Sequence, residues 1–197
     1  MKKRCGTIAI VGQPNVGKST LLNYFIGTKL SITSRKAQTT RYQLLGIHTT
    51  PETQYIFVDT PGYQLKHLNT LNKNLNKTVK QALQNVDVIL FLIEPRQMTE
   101  VDEKILQMIP EETPIILVIN KVDRLKEKSK LLELIQVFKE NERYKEIIPT
   151  SVKKKNNLKE LLESTYQFLP EQEFIYEDNE ITDKNERFLA AEIIREK

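Results

Sequence analysis

The chain carries only six glycines in 197 residues, at positions 6, 12, 17, 27, 46 and 62, and none beyond Gly62. No two of them lie three residues apart, which excludes the G-x-x-G loop that one class of RNA-binding module uses to clamp the nucleic-acid backbone. There is a single cysteine, Cys5. It excludes an internal disulfide and fits a reducing compartment. The two histidines, His48 and His67, have no cysteine or further histidine at ligand spacing, so both read as surface or hairpin residues. Long apolar runs are missing as well. VILFLI, residues 88–93, is among the longest and is far too short to cross a bilayer. The opening MKKRCGTIAIV sets basic residues before apolar ones, but its apolar stretch is too short for a signal peptide and leads directly into a glycine motif.

The length suits one full domain with a proper core and a remnant of a second. With 39% hydrophobic and 28% charged residues, the composition is that of an ordinary soluble protein. The net charge of +4 is unevenly spread. Residues 170–197 hold nine acids and four bases, leaving 26 bases and 17 acids in residues 1–169, so the body is about +9 and the tail about −5. A basic body suits RNA or an anionic membrane surface as partner. The same charge also describes a solvated lysine-rich face.

Along the chain, TIAIV (7–11) reads as a buried strand that feeds a glycine loop and a helix from Lys18 to Ile26, stopped by Gly27. YQLLGIHTT and TQYIFVD form a hairpin around Pro51 and Glu52. Leu71, Leu75, Val79, Leu83 and Val86 recur at helical spacing, which predicts an amphipathic helix over 69–85. Further strands are predicted at 88–93, 115–119 and 146–149, with helices over 101–109, 127–140 and 158–168. Such alternation predicts a three-layer α/β domain with a mostly parallel six-stranded sheet, in which the hairpin adds one antiparallel edge strand. Residues 170–181 read as an acidic, turn-rich linker. From residue 182 a new amphipathic helix begins, with Asp183 as its cap and Glu186 three residues on.

GQPNVGKS, Gly12 to Ser19, matches G-x-x-x-x-G-K-[ST] between a strand and a helix, as a phosphate-binding loop requires. Gly12, Gln13, Pro14, Asn15, Val16 and Gly17 would wrap backbone N–H groups around the β-phosphate. Thr20 follows at the positive end of the helix. Lys18 would reach the β- and γ-phosphates, and the Ser19 hydroxyl would ligate Mg²⁺. NKVD, Asn120 to Asp123, selects the base: a carboxylate at Asp123 accepts two hydrogens from guanine N1 and N2, which adenine does not offer. Lys121 would lay its stem over the base, and Asn120 would tie this loop to the phosphate loop. In DTPG, Asp59, Thr60, Pro61 and Gly62, the aspartate would hold Mg²⁺ through a water and the Gly62 N–H would meet the γ-phosphate. The polar stretch SRKAQTTRYQ between these motifs is the place for a threonine that completes the Mg²⁺ shell only when a γ-phosphate is present. Thr40 is the choice and Thr39 the fallback, and release of that ligand on hydrolysis makes a switch.

This order of motifs resembles the translation-factor-related GTPases. The stretches SITSRKAQTTR and ITDKNERFLAAEIIREK resemble the Era family of bacterial ribosome-assembly GTPases over nearly the whole chain. The resemblance implies a Ras-like P-loop GTPase domain over 1–169, then the linker and, from 182, the first helix of a KH domain missing from this chain. It further implies GTP/GDP and Mg²⁺ as ligands, and 16S rRNA of the small ribosomal subunit as partner of the full-length protein. A monomer in the cytoplasm, with peripheral association on the inner face of the membrane, completes the expectation. The family's base-side element stands here as Ser151 and Val152, where a backbone N–H would meet guanine O6. Lys153 to Lys155 beside it read as a solvated corner.

Two other classes compete with this expectation. A metabolic kinase or ATPase would share the P-loop, but NKVD and the lack of an arginine-rich lid argue against it. A GTP-binding regulator of RNA modification or of the membrane would differ only in what the missing half binds. One feature sets the water chemistry apart. Tyr63 follows Gly62 where many such enzymes place a glutamine, and a phenol cannot copy an amide's donor and acceptor geometry. The ring is expected to pack away from the phosphates. Asn15 could instead hold a monovalent cation, K⁺ rather than Na⁺, at the β–γ bridge. With Lys18, Thr40 and Gly62 it forms the expected catalytic set, and GTPases with this asparagine are often potassium-dependent. The alternative is an asparagine that only bonds within its own loop.

Overall fold

The computed structural model describes residues 3–31, 44–63 and 70–185, together with 187 and 194. Its elements in chain order are β1 (Arg4–Gly12), α1 (Lys18–Ile26), β2 (Leu44–Thr49), β3 (Thr53–Asp59), α2 (Thr70–Ala82) and β4 (Val88–Ile93). Then follow α3 (Glu100–Met108), β5 (Ile115–Ile119), α4 (Lys128–Lys139), β6 (Tyr144–Pro149) and α5 (Leu158–Tyr166). The six strands run in the order β2-β3-β1-β4-β5-β6. Every neighbouring pair is parallel except β2 with β3, so the predicted mixed sheet with one antiparallel edge strand is the one observed.

The central strands are apolar on both faces because both faces are covered. Ile8 and Ile10 of β1, with Leu90 and Leu92 of β4, join Leu21 and Phe25 of α1 and Leu161 of α5 in one core. The intervening Ala9, Val11, Ile89 and Phe91 point the other way, to Val79 of α2, Ile105 of α3 and Phe138 of α4. All six residues of β4 are fully buried, each worth about 1.5–3 kcal/mol of apolar transfer. The Phe25 and Phe57 rings stack with centroids 5.0 Å apart and seat α1 over β3. Gly27 ends α1 in the left-handed region at φ 77, where its N–H donates to the Asn23 carbonyl. That conformation costs glycine little.

Differences from the sequence reading lie at boundaries and in the linker. β1 begins at Arg4 rather than Thr7, because Arg4 and Cys5 pair with Thr53 and Gln54 of β3. β6 begins at Tyr144, which pairs with Ile115. The acidic segment after α5 is no free tether. Pro170 accepts from the Cys5 N–H, and Ile181 accepts from the Ile47 N–H on the outer edge of β2. Gln54, fully buried on β3, accepts from the N–H groups of Ile175 and Tyr176 and donates to the Tyr176 carbonyl. Asp183, expected as a helix cap, accepts from the Leu45 N–H at 3.3 Å. Glu186 and most of the helix expected beyond it lie outside the described residues.

Candidate nucleotide-binding site

Five loops leave the carboxyl ends of β1, β3, β4, β5 and β6 on one edge of the sheet, where ligands of open α/β sheets bind. The first is Gly12 to Gly17. Gly12 adopts φ 148, and a Cβ there would lie 2.3 Å from the Leu92 carbonyl oxygen. Gly17 adopts φ 110, and a Cβ there would lie 2.3 Å from Asn120 Nδ2. Only glycine satisfies both demands. Asn15 is also left-handed, at φ 64. Asparagine tolerates that region better than most residues. Lys18 opens α1 almost wholly buried, with Nζ donating to the carbonyls of Gly12 (3.2 Å) and Gln13 (2.9 Å). Burial pulls its pKa down to about 8, against the opposing pull of the Asp59 charge. A phosphate arriving here would restore that charge's solvation.

The Asp59 carboxylate, fully buried at the end of β3, accepts from the hydroxyl of Ser19 (3.0 Å) and from that of Ser31 (2.7 Å) on the same Oδ2. Hydroxyl and carboxylate oxygens at this separation are the hard donor set that Mg²⁺ takes, so the residues fit the ion the motif implies. Thr60 turns inward, its hydroxyl donating to the Ile10 carbonyl at 2.8 Å. Gly62 runs against the phosphate loop so closely that a Cβ would lie 2.7 Å from Pro14 N. The Tyr63 N–H points at the Gly12 carbonyl at 3.4 Å. Its ring packs against the core on the α2, α3 and α4 face. Thr39 and Thr40 lie outside the described residues, as does His67.

On the base side Asn120, buried at 2% exposure, joins three loops. Its Nδ2 donates to the Val16 carbonyl at 2.8 Å, and its Oδ1 accepts from the Val152 N–H (3.2 Å) and the Thr150 hydroxyl (3.4 Å). The Val152 N–H is therefore engaged inside the protein, and reaching a guanine O6 would take it from that bond. Asp123 is exposed and accepts from the Ser151 hydroxyl. That bond, reinforced by the charges of Lys153 and Arg124, holds its carboxyl below the usual carboxylate range. Lys121, left-handed at φ 66, directs Nζ to the Asn15 carbonyl and to Glu94. Lys153, Lys154 and Lys155 are all exposed.

Three contacts here were not read from the sequence. Ser31 reaches Asp59, Glu94 at the end of β4 pairs with Lys121, and Gln13 donates to Thr99 (2.7 Å) and Asp102 (2.9 Å) at the start of α3. Asp102 is fully buried. Burial alone would raise its carboxyl, but bonds from Arg96, Thr99 and Gln13 together hold it below the usual range. None of the three pairs has a sequence period. The one available signal was a capping pattern, Thr99 with Asp102, which the N-terminus of α3 uses. Among the described residues no group of three or more His, Cys, Asp or Glu side chains could hold a metal ion.

Known proteins agree with this geometry. A family model described as 50S ribosome-binding GTPase matches residues 7–121. The chain is 49% identical to the GTPase Era of Chromobacterium violaceum over 193 residues, which covers 98% of this chain and 65% of that protein. A crystal structure of Era in complex with MgGDPNP and nucleotides 1506–1542 of 16S ribosomal RNA superposes with a TM-score of 0.92 at 44% identity, covering 98% of this chain and 66% of that one. The Y63A variant of Aquifex aeolicus Era bound to GDP·AlF₄⁻ superposes at 0.91, also at 44% identity, with the same coverage. The chain thus spans about two thirds of the length of these relatives. With more than half of its residues inside the family match and the motif loops gathered on one sheet edge, the chain belongs to the 50S ribosome-binding GTPase family.

Proposed function

We propose that this chain binds GTP and GDP with Mg²⁺ and hydrolyses GTP, as the nucleotide-switch part of a protein acting in small-subunit ribosome assembly. The observation that carries the reading is Asn120, whose one side chain ties the phosphate loop to both base-side loops. A site wired in this way positions triphosphate and guanine together. The Era relatives, one of them solved with MgGDPNP and 16S rRNA, support the ribosomal role.

In this reading the backbone of residues 12–17 and Lys18 hold the β- and γ-phosphates. Ser19 and Asp59 hold the metal, with Thr40 as the γ-phosphate-dependent ligand, and Asp123 reads the base beside Ser151 and Val152. Mg²⁺, when bound, would supply positive charge against the phosphate oxygens. The Gly62 N–H would meet the γ-phosphate, and its close approach to Pro14 keeps it beside the phosphate loop. Residues 1–169 form the GTPase unit and 170–181 the linker. The pattern from 182 is the first helix of a KH-type RNA-binding domain that would engage 16S rRNA. The protein is expected to be a cytoplasmic monomer with peripheral attachment to the membrane.

The test is displacement of a fluorescent GDP analogue in Mg²⁺ buffer, followed by phosphate release from GTP. GDP and GTP should displace it and ADP and ATP should not. Equal displacement by ATP would overturn the guanine assignment, and stable GTP over hours would overturn hydrolysis.

A further inference from the structure

Asp59 can serve a metal only if its carboxylate holds one rotation about Cβ–Cγ. Two hydroxyls fix it here, both on Oδ2: Ser19 at 3.0 Å and Ser31 at 2.7 Å. Ser19 belongs to the phosphate-loop motif. Ser31 opens the SITSRKAQTTR stretch, in which no role is assigned to it; it is 5% exposed and makes the shorter of the two bonds. Its placement is itself built. Asn23, on the second turn of α1, accepts from the N–H groups of Leu30 (2.9 Å) and Ser31 (2.8 Å) and donates to the Ser31 carbonyl at 2.7 Å. An isolated turn residue would not be gripped at both backbone groups by one half-buried amide. The grip leaves the Ser31 side chain a single task, donation to Asp59.

We propose that Ser31, clamped by Asn23, is a positioning residue for the metal site: it sets the direction of the Asp59 carboxylate so that the second oxygen faces the ion's water shell. The inference rests on the Mg²⁺-nucleotide reading above. The physical reason lies in hydroxyl bookkeeping. When Ser19 turns a lone pair to the metal, its one proton is still available to Asp59, but its direction becomes set by the ion. Ser31 is then a donor whose geometry the protein controls without the ion. Groups that orient metal ligands in this way are worth about 10–100-fold in metal affinity.

The experiment measures how much Mg²⁺ is needed to slow the release of a fluorescent GDP analogue by half, in wild type, Ser31→Ala and Ser31→Thr. Wild-type release that is indifferent to Mg²⁺, or no binding of the analogue, would fail the Mg²⁺-nucleotide reading itself. If wild type responds, Ser31→Ala should need about tenfold more Mg²⁺ or above. Its analogue affinity in excess EDTA should stay near wild type. Ser31→Thr keeps the hydroxyl and should need less than Ser31→Ala. An unchanged Mg²⁺ requirement in Ser31→Ala overturns the inference. So does equal loss in both variants, or a loss that persists in EDTA, since packing and not the hydroxyl would then be what matters. Should Ser31→Ala fail to fold, Asn23→Ser, which shortens the clamp, must raise the Mg²⁺ requirement for the inference to stand.

Discussion

On the phosphate side of the site Lys18 and Asp59 are 6% and 0% exposed, and the loop around them holds two glycines and an asparagine in left-handed or glycine-only backbone. On the base side Asp123 stands in solvent, steadied by a neighbouring serine hydroxyl and nearby cationic charge. The two halves therefore answer to different forces. Burying Lys18 and Asp59 costs stability that only a bound phosphate and metal offset in full. Asp123 costs the fold almost nothing, so it can be tuned for the base alone. Binding energy and base selection are separable, and substitutions should separate them.

The largest effect is expected at Lys18. Between pH 8 and about 10.5 the unfolded chain keeps the Lys18 proton while the folded one, with its pKa near 8, has released it. The unfolded state then binds more protons, so this group's contribution makes stability rise with pH across that window and leaves it flat below. A shift of that size corresponds to about 3 kcal/mol of penalty on the charged form. Lys18→Met removes the penalty but leaves the Gly12 and Gln13 carbonyls without that donor, a loss of about 1–2 kcal/mol. The nucleotide-free variant should thus be more stable than wild type at pH 7 by about 1–2 kcal/mol and lose the rise above pH 8. GTP binding should weaken by about 3 kcal/mol or more, the worth of charge-assisted bonds to phosphate. Urea midpoints across pH, with and without GDP, check both signs. A variant less stable than wild type would break the contrast between the halves.

Asn120→Ala should come next, because it strikes both halves at once. It deprives the Val16 carbonyl and the Val152 N–H of a partner. Each buried orphan costs about 1–3 kcal/mol, so a stability loss of about 2–4 kcal/mol is expected, with guanine affinity falling alongside. A loss of affinity at unchanged urea midpoint would mean the three loops are not held by this residue.

Asp123→Asn should show the opposite signature. Stability should stay within about 0.5 kcal/mol of wild type, as for an exposed substitution. GTP binding should weaken by about 1.5–3 kcal/mol, with a gain for XTP. Competition titrations with GTP and XTP read this directly, and unchanged GTP affinity without any gain for XTP would remove the guanine assignment.

The same contrast explains what could be read from the sequence. The phosphate loop was legible because its demands are local: glycine at 12 and 17, lysine and serine opening a helix, all within eight consecutive residues. The strands were legible where burial on both faces made continuous apolar runs, as in 88–93. Their ends were not, since Arg4, Cys5 and Tyr144 enter the sheet through backbone pairing and stand apart from the continuous apolar runs. Single side-chain bonds between distant segments were invisible for the same reason. Ser31 to Asp59, Gln13 to Asp102 and Gln54 to the linker have neither period nor spacing, and only the folded chain brings them together.

The smallest effect is expected at the residue that began as the oddest. Tyr63 occupies the place of a water-orienting glutamine, yet its backbone N–H faces Gly12 and its ring lies against the α2–α4 core, not at the phosphate edge. Its removal should cost some packing and little in hydrolysis rate. Asn15, by contrast, stands exposed on the phosphate loop with its carbonyl drawn to Lys121 and its backbone left-handed. A monovalent cation held by its side-chain oxygen would place positive charge where it develops between the β- and γ-phosphates, the task an arginine finger performs elsewhere. Hydrolysis should then be faster in KCl than in NaCl at equal ionic strength, and Asn15→Ala should abolish the difference. Alanine at φ 64 also carries about 1 kcal/mol of backbone strain, so Asn15→Gly, which is at ease in that region, is the cleaner deletion. If both variants lose the salt preference, the side chain is responsible. If Asn15→Gly keeps it, the left-handed backbone is what matters and the cation assignment to the Asn15 side chain fails. A collapse of rate in Tyr63→Ala would instead return the water to the phenol.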